Sequence, residues 1–61
     1  MDTFTKPNIG DKFIDGDATK VITGNDFTDK NSVTYNVYMD GTLIGEGSTH
    51  FSHFENMTKV D

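Results

Sequence analysis

Two histidines, His50 and His53, are the residues of this chain best suited to bind a metal ion. Their spacing of three residues puts both imidazoles on one side of a helix, where Glu46 or Glu55 would add a carboxylate to a zinc site. The alternative, which we favour, is that both are surface residues flanking a buried aromatic stripe, because His-x-x-His alone is an unspecific pattern. We therefore expect neither a bound metal nor a cofactor, and keep His50 and His53 only as candidates.

Other combinations of reactive residues lack the context that catalysis needs. Asp15-Gly16-Asp17 begins like a calcium loop, but the sixth and twelfth positions hold Lys20 and Asp26 where glycine and glutamate are required. Ser48 and His50 combine on paper with several aspartates, yet no motif orients them as nucleophile and base. The chain has no cysteine, which excludes thiolate chemistry. We expect a protein that is not an enzyme.

The charge of the chain points to a protein partner. Five lysines face ten acidic residues, no arginine is present, and the formal net charge is −5. Nucleic-acid affinity depends largely on Lys and Arg contacts to phosphates, so direct binding of DNA or RNA is disfavoured. A protein with a basic surface is the expected partner, and a surface that normally holds nucleic acid is one form of it.

Length and composition indicate one small domain of the cytoplasm. A chain of 61 residues has room for a single core, and the lack of cysteine fits a reducing compartment. No apolar run approaches the roughly 20 residues of a membrane span. The first residues also lack the basic and apolar regions of a signal peptide.

The first half of the chain predicts an extended lead-in followed by a hairpin. Residues 1–11 contain the only proline and show no sustained apolar period, so we place the domain at residues 12–61. Residues 12–14 form a short apolar run, residues 15–17 a polar turn, and residues 18–23 a strand-favouring segment. A polar loop follows at residues 24–32.

The clearest pattern is a hairpin over residues 32–45. Side chains alternate between apolar and polar from Val33 to Met39, which predicts a half-buried strand. Asp40-Gly41 is the pair favoured by a type I′ turn. A two-residue turn places Met39 opposite Thr42, Val37 opposite Ile44, and Tyr38 opposite Leu43 on the other side of the sheet.

The C-terminal third predicts a short helix over about residues 48–57. Phe51, Phe54 and Met57 recur at a spacing of three, and Ser48 or Thr49 would cap the first turn. Lys59-Val60 would then form a short closing strand. The fold class is mainly β: either a small SH3-like barrel or a strongly curved antiparallel sheet of four to five strands with this one helix.

The layout over residues 10 to 60 resembles small SH3-like proteins encoded by bacteriophages and mobile elements. Four features carry the resemblance: Gly10-Asp11-Lys12-Phe13, the Val33-Thr34-Tyr35 strand, Asp40-Gly41, and Phe51-x-x-Phe54-x-x-Met57-x-x-Val60. The resemblance implies a protein that binds and alters one host protein, in the host cytoplasm.

The candidate contact surface combines apolar residues with an acidic rim. Tyr38 and Leu43 would lie opposite each other, facing away from Val37, and with Phe27 would form an exposed patch. The rim comprises Asp26, Asp29, Asp40 and Glu46. The alternative is that the fold or the termini cover these residues.

The leading hypothesis is therefore a non-catalytic, acidic protein-binding module that modulates or inhibits a host protein by surface occlusion. A self-associating structural or accessory protein, such as a homodimer through the same hairpin edge, is the alternative. A further alternative is a small nucleic-acid-binding barrel with stacking aromatic residues.

Overall fold

The computed structural model describes residues 4–60, which form one antiparallel sheet of five strands. Its strands are β1 (Lys12–Asp15), β2 (Ala18–Asn25), β3 (Ser32–Met39), β4 (Thr42–His50) and β5 (Thr58–Val60). The predicted lead-in (residues 1–11) includes residues 1–3, and the predicted domain (residues 12–61) includes residue 61. These four residues lie outside the described part of the chain. The mainly β, antiparallel prediction is confirmed.

Two tight turns fix the hairpins that the sequence predicts. Asp40 and Gly41 have positive φ values of 53° and 79°, as a type I′ turn requires, and Gly16 has a φ of 62° between β1 and β2. Met39 lies opposite Thr42 and Tyr38 opposite Leu43, as predicted.

The predicted pairing of Val37 with Ile44 is wrong, because Val37 lies opposite Gly45. Ile44 is an extra residue at this point of β4, which makes the irregularity a β-bulge. Because of the bulge, Leu43 lies on the same side of the sheet as Tyr38, and Gly45 lies on the same side as Val37. Residues 45–50 then pair without interruption with residues 32–37.

The strand order β4-β3-β2-β1-β5 leaves the sheet open. Among residues 4–60, β4 pairs with β3 and β5 pairs with β1, and the two outer strands do not pair with each other. The closed-barrel form of the fold prediction is therefore wrong, and the open antiparallel sheet takes its place. The short β5 confirms the predicted closing strand at Lys59-Val60.

The hydrophobic core lies on one face of the sheet. Phe13, Ile22 and Val33 project from three strands and are almost fully buried. Phe54 covers them from the segment between β4 and β5, with its ring centroid 5.0 Å from that of Phe13. Phe4, Tyr35, Phe51 and Met57 pack around this cluster, so we call this side the covered face.

The predicted helix over residues 48–57 is wrong. β4 continues to His50, and only Phe51–Phe54 forms a single 3-10 turn. A 3-10 helix has three residues per turn, so Phe51 and Phe54 share a face at the spacing that we attributed to an α-helix. The residues of this segment have only moderate helix propensity and glycines precede them, so a longer helix is not favoured.

The segment before β1 contacts both the core and the sheet. The Phe4 ring stacks on Phe51 with a centroid separation of 6.1 Å. Gly10 donates its backbone N–H to the Ile22 carbonyl, and Ile22 donates its own to the Asp11 carbonyl, at 2.8 and 2.9 Å. Within residues 4–60, no helix has the length and apolarity needed to cross a membrane.

Candidate functional site

The face of the sheet opposite the core is the candidate site, and we call it the open face. Ile14, Thr19, Tyr38 and Leu43 follow one another across β1, β2, β3 and β4, each directly opposite the next. Because neighbours along a strand point to opposite sides, this row faces away from Phe13 and Val37. Its apolar members remain partly or largely exposed, with Leu43 at 51%.

Tyr38 and Leu43 are brought together as the sequence predicts, beside the turn that holds Asp40. A shallow groove runs from this turn towards β1, and its lining residues are Lys12, Thr19, Val21, Tyr38, Asp40 and Gly41. An aromatic ring with a polar hydroxyl beside aliphatic side chains is suited to contact with another protein. The groove lacks the enclosed, convergent polar groups expected of a small-molecule site.

The next row of the open face is more polar. Lys12, Val21, Asn36 and Glu46 lie opposite one another across β1, β2, β3 and β4. Glu46 is exposed and carries the negative charge of this row at the sheet edge, while Lys12 carries a positive charge on β1. The acidic rim is therefore strongest on the β4 side.

Phe27 lies away from Tyr38 and Leu43, at the other end of the strands. It is fully exposed in the loop between β2 and β3, where it lines a hollow with Ile9, Asp26 and Thr34. Thr34 and Tyr38 are on the same face of β3 and four residues apart, which corresponds to roughly 13 Å. The open face thus has two apolar ends, and the single patch expected from Phe27, Tyr38 and Leu43 divides into these two.

Asp26 holds the Phe27 loop in shape. Its carboxylate accepts hydrogen bonds from the Thr28 hydroxyl at 2.6 Å, the Thr28 backbone N–H at 2.9 Å and the Ser48 hydroxyl at 2.7 Å. These donors, chiefly the Thr28 hydroxyl, lower the pKa of Asp26 from its ordinary value of 3.8 to about 2. The Ser48 bond also ties the loop to β4.

Asp29 makes a second set of bonds within the same loop. It accepts from the Asn31 backbone N–H at 2.9 Å and from the Ser32 hydroxyl at 3.1 Å. The bond from Asn31 is the main cause that lowers the pKa of Asp29. Both acidic side chains are therefore anions that stabilise turns in the loop that carries Phe27.

The two histidines are directed to different partners. His50 ends β4, where its Nδ1 accepts the Ser52 backbone N–H at 3.1 Å and its ring stacks on Phe51. His53 lies in the 3-10 turn, with Nε2 3.3 Å from the Lys20 ammonium. The helical arrangement that would bring both imidazoles to one side is absent. Within residues 4–60 no three potential ligands form a metal-binding group.

Lys20 belongs to a polar cluster on the covered face. Its ammonium lies 3.0 Å from the Asp15 carboxylate and 5.3 Å from the centre of the Tyr35 ring. Because an ammonium only donates, Nε2 of His53 is the acceptor in this contact. This cluster links the 3-10 turn to the sheet.

Sequence reasoning missed Ile14, Val21 and Val60 as members of the open face. A usable signal exists, since Ile14 alternates with Phe13, and Val21 with Ile22, whose side chains point into the core. The alternation is hidden because β1 has only four residues and because an apolar residue on the open face directly precedes or follows an apolar core residue in both strands.

Comparison with protein-family models, with curated proteins and with solved structures found no match.

Proposed function

We propose that this chain is a non-catalytic protein-binding module whose open face docks on a basic surface of a partner protein. The observation that supports it is the one-sided covering of the sheet. Phe54 and its neighbours cover one face, while Ile14, Tyr38 and Leu43 form a row of accessible apolar side chains on the other. Contiguous exposed apolar surface with a polar rim is typical of protein interaction sites.

The chemistry of the open face favours a partner rich in lysine and arginine. Asp40 and Glu46 border the row, and the chain as a whole carries a formal net charge of −5. Such a field attracts a basic surface and speeds encounter at low salt. Tyr38 adds contact area at low entropic cost, and its hydroxyl provides a hydrogen bond at the interface.

Surface occlusion needs binding energy alone and requires no catalytic step. A partner surface that is basic enough to attract this protein also attracts nucleic-acid phosphates. We propose that docking blocks such a surface. The bacteriophage-type layout of the sequence implies the coarser part of this proposal, that one host protein is bound and altered.

Affinity capture with paired variants tests this function. Tyr38→Ala removes a side chain of the open face, whereas Met39→Ala removes a partly exposed apolar side chain from the opposite side of the same strand. Asp40→Asn removes one negative charge beside the open face. Glu55→Gln is its control, because it removes one negative charge from the segment after Phe54. We expect Tyr38→Ala and Asp40→Asn to reduce capture of a basic protein, with both controls unchanged.

Two further results would contradict the proposal. Capture that is insensitive to salt between about 50 and 500 mM would exclude a charge-assisted interface. Light scattering that shows a dimer broken by Tyr38→Ala would identify the open face as a self-association surface instead.

A further inference from the structure

Within residues 4–60, the outer edge of β4 has no neighbouring strand. β4 is nine residues long and pairs on one side only, with β3, at the end of the sheet order. Natural edge strands are commonly shortened or protected by lysine, proline or bulges, since they offer free N–H and C=O groups to another chain. β4 has one bulge, at Ile44, and contains neither lysine nor proline. Residues 45–50 beyond it form a regular edge.

On the covered face this edge presents glycine. Gly45 lies opposite Val37 and Gly47 opposite Tyr35. The space where a Gly45 side chain would stand is empty to beyond 4 Å, and the Tyr35 ring extends over Gly47. A neighbouring strand can therefore place large apolar side chains beside Val37 and Tyr35, which are both only partly buried.

On the open face the same edge is acidic. Glu46 and Ser48 alternate with these glycines. The Ser48 hydroxyl donates a hydrogen bond of 2.7 Å to the Asp26 carboxylate, which places a second negative charge at this edge. Glu46 is exposed and forms no ion pair within residues 4–60. An incoming strand would therefore lie beside negative charge on the open face and beside the Val37 and Tyr35 side chains on the covered face.

We propose that the edge of residues 45–50 binds an extended segment of another protein by strand addition. The segment alternates lysine or arginine with bulky apolar residues, so that its cations lie beside Glu46 and Asp26 and its apolar side chains lie beside Gly45 and Gly47. This inference goes beyond the proposed function, because the binding group is the backbone edge of β4; the two proposals share Glu46 but not Tyr38.

A second copy of this chain is the less suitable occupant. The antiparallel register that pairs the full length of β4 with its own copy places Glu46 directly opposite Glu46, since this residue is the middle of Thr42–His50. Like charges directly opposite each other on neighbouring strands are destabilising. Shifting the register by two residues in one direction brings Glu46 opposite Ser48 and the Asp26 carboxylate bound to it, and in the other direction brings it opposite Ile44 at the bulge.

The test uses a capped peptide of alternating lysine and valine, nine residues long, titrated into the full chain and followed by NMR. We expect saturable shifts and slowed amide exchange at residues 45–50. In an antiparallel pair alternate N–H groups face the neighbouring strand. N-methylation of one alternate set of peptide residues should therefore weaken binding at least tenfold, while methylation of the other set leaves it nearly unchanged.

Charge and site are checked with two protein variants. Glu46→Lys should weaken the lysine-valine peptide about fivefold at low salt, and a glutamate-valine peptide should not bind the native chain. Tyr38→Ala alters the open face and should leave peptide binding unchanged, which separates this inference from the proposed function. Equal binding of both methylated peptides would overturn it, as would protection of residues 45–50 by self-association without peptide.

Discussion

At the scale of single residues, Gly47 shows how a cross-strand contact determines a residue type. A Cβ at this position would stand 2.8 Å from the Tyr35 hydroxyl oxygen and 3.0 Å from Cζ of the same ring, whereas one at Gly45 meets nothing within 4 Å. Tyr35 in turn packs edge-on against Phe54, with 5.6 Å between ring centroids. The ring cannot move away from β4 without disturbing the core.

We expect Gly47→Ala to destabilise the fold by about 1 to 2 kcal/mol through overpacking, and Gly45→Ala to be neutral or slightly stabilising. Urea unfolding of both variants measures the difference. In a Tyr35→Phe background the shortest contact is removed, so the cost of Gly47→Ala should fall. Equal effects of the two alanine variants would show that the ring moves freely.

The hydrogen bonds to Asp26 make the stability of the protein sensitive to acid. The pKa of Asp26 is about 2 in the folded state against an ordinary value of 3.8, so the folded state binds fewer protons in this range. Its contribution is present above about pH 4 and is lost as the pH falls towards 2. Asp26→Asn should therefore lower the melting temperature at pH 6 more than at pH 2.

The donors to Asp26 should contribute in a definite order. The Thr28 hydroxyl is the largest cause of the lowered pKa and the Ser48 hydroxyl the next. NMR titration of the Asp26 carboxyl should show its pKa rising towards 3.8 in Thr28→Ala, and rising less in Ser48→Ala. An unchanged pKa in both variants would contradict the bonding described for this loop.

At the scale of elements, the β3–β4 turn is a test of local backbone chemistry. Gly41→Ala puts a side chain on a residue with a φ of 79°, and we expect a loss of about 1 kcal/mol or more. Asp40→Asn is the matched control, because asparagine tolerates the φ of 53° at that position. Thermal unfolding of the pair distinguishes turn strain from loss of the aspartate charge.

The sequence predicts those elements that local rules determine. Alternation from Val33 to Met39 and the Asp40-Gly41 pair are sufficient to place the hairpin and the Tyr38–Leu43 pair. The length of β4 is not predictable in this way, because Gly45 and Gly47 suggest the end of a strand. Gly47 is required by the Tyr35 ring of the neighbouring strand, and such a contact between strands leaves no periodic trace in the sequence.

The candidate site was predictable to a similar extent. Tyr38, Leu43 and Asp40 belong to the predicted hairpin, and the structure brings them together at one end of the open face. Phe27 lies at the other end, because the position of a loop relative to the sheet depends on tertiary bonds such as Ser48 to Asp26. The covering of only one face follows from the path of residues 51–57, which was predicted as a helix.

At the scale of the whole molecule, stability depends on a very small core. Four side chains, Phe13, Ile22, Val33 and Phe54, are the buried apolar residues among those described. Truncating a buried phenylalanine to alanine typically costs about 3 to 5 kcal/mol, and one core of this size rarely supplies more than roughly 3 to 5 kcal/mol in total. We expect Phe54→Ala to be largely unfolded at 25 °C by circular dichroism.

Phe27→Ala is the control for that prediction, since it removes the same side chain from a fully exposed position. It should change the free energy of unfolding by no more than about 0.5 kcal/mol, as ordinary surface substitutions do. A large loss of stability in Phe27→Ala, or a stable Phe54→Ala, would contradict the assignment of the core to the covered face.

The pairing of β5 with β1 has a consequence for the order in which the molecule assembles. Lys12 lies opposite Val60, so this contact joins the first and last strands of the sheet along the chain, while β2, β3 and β4 are successive neighbours. Closing the longest loop costs the most chain entropy, and the three residues of β5 return few contacts for it. The hairpins of β2 to β4 should form first on folding, and β5 should be the first strand to detach by local opening in the native protein.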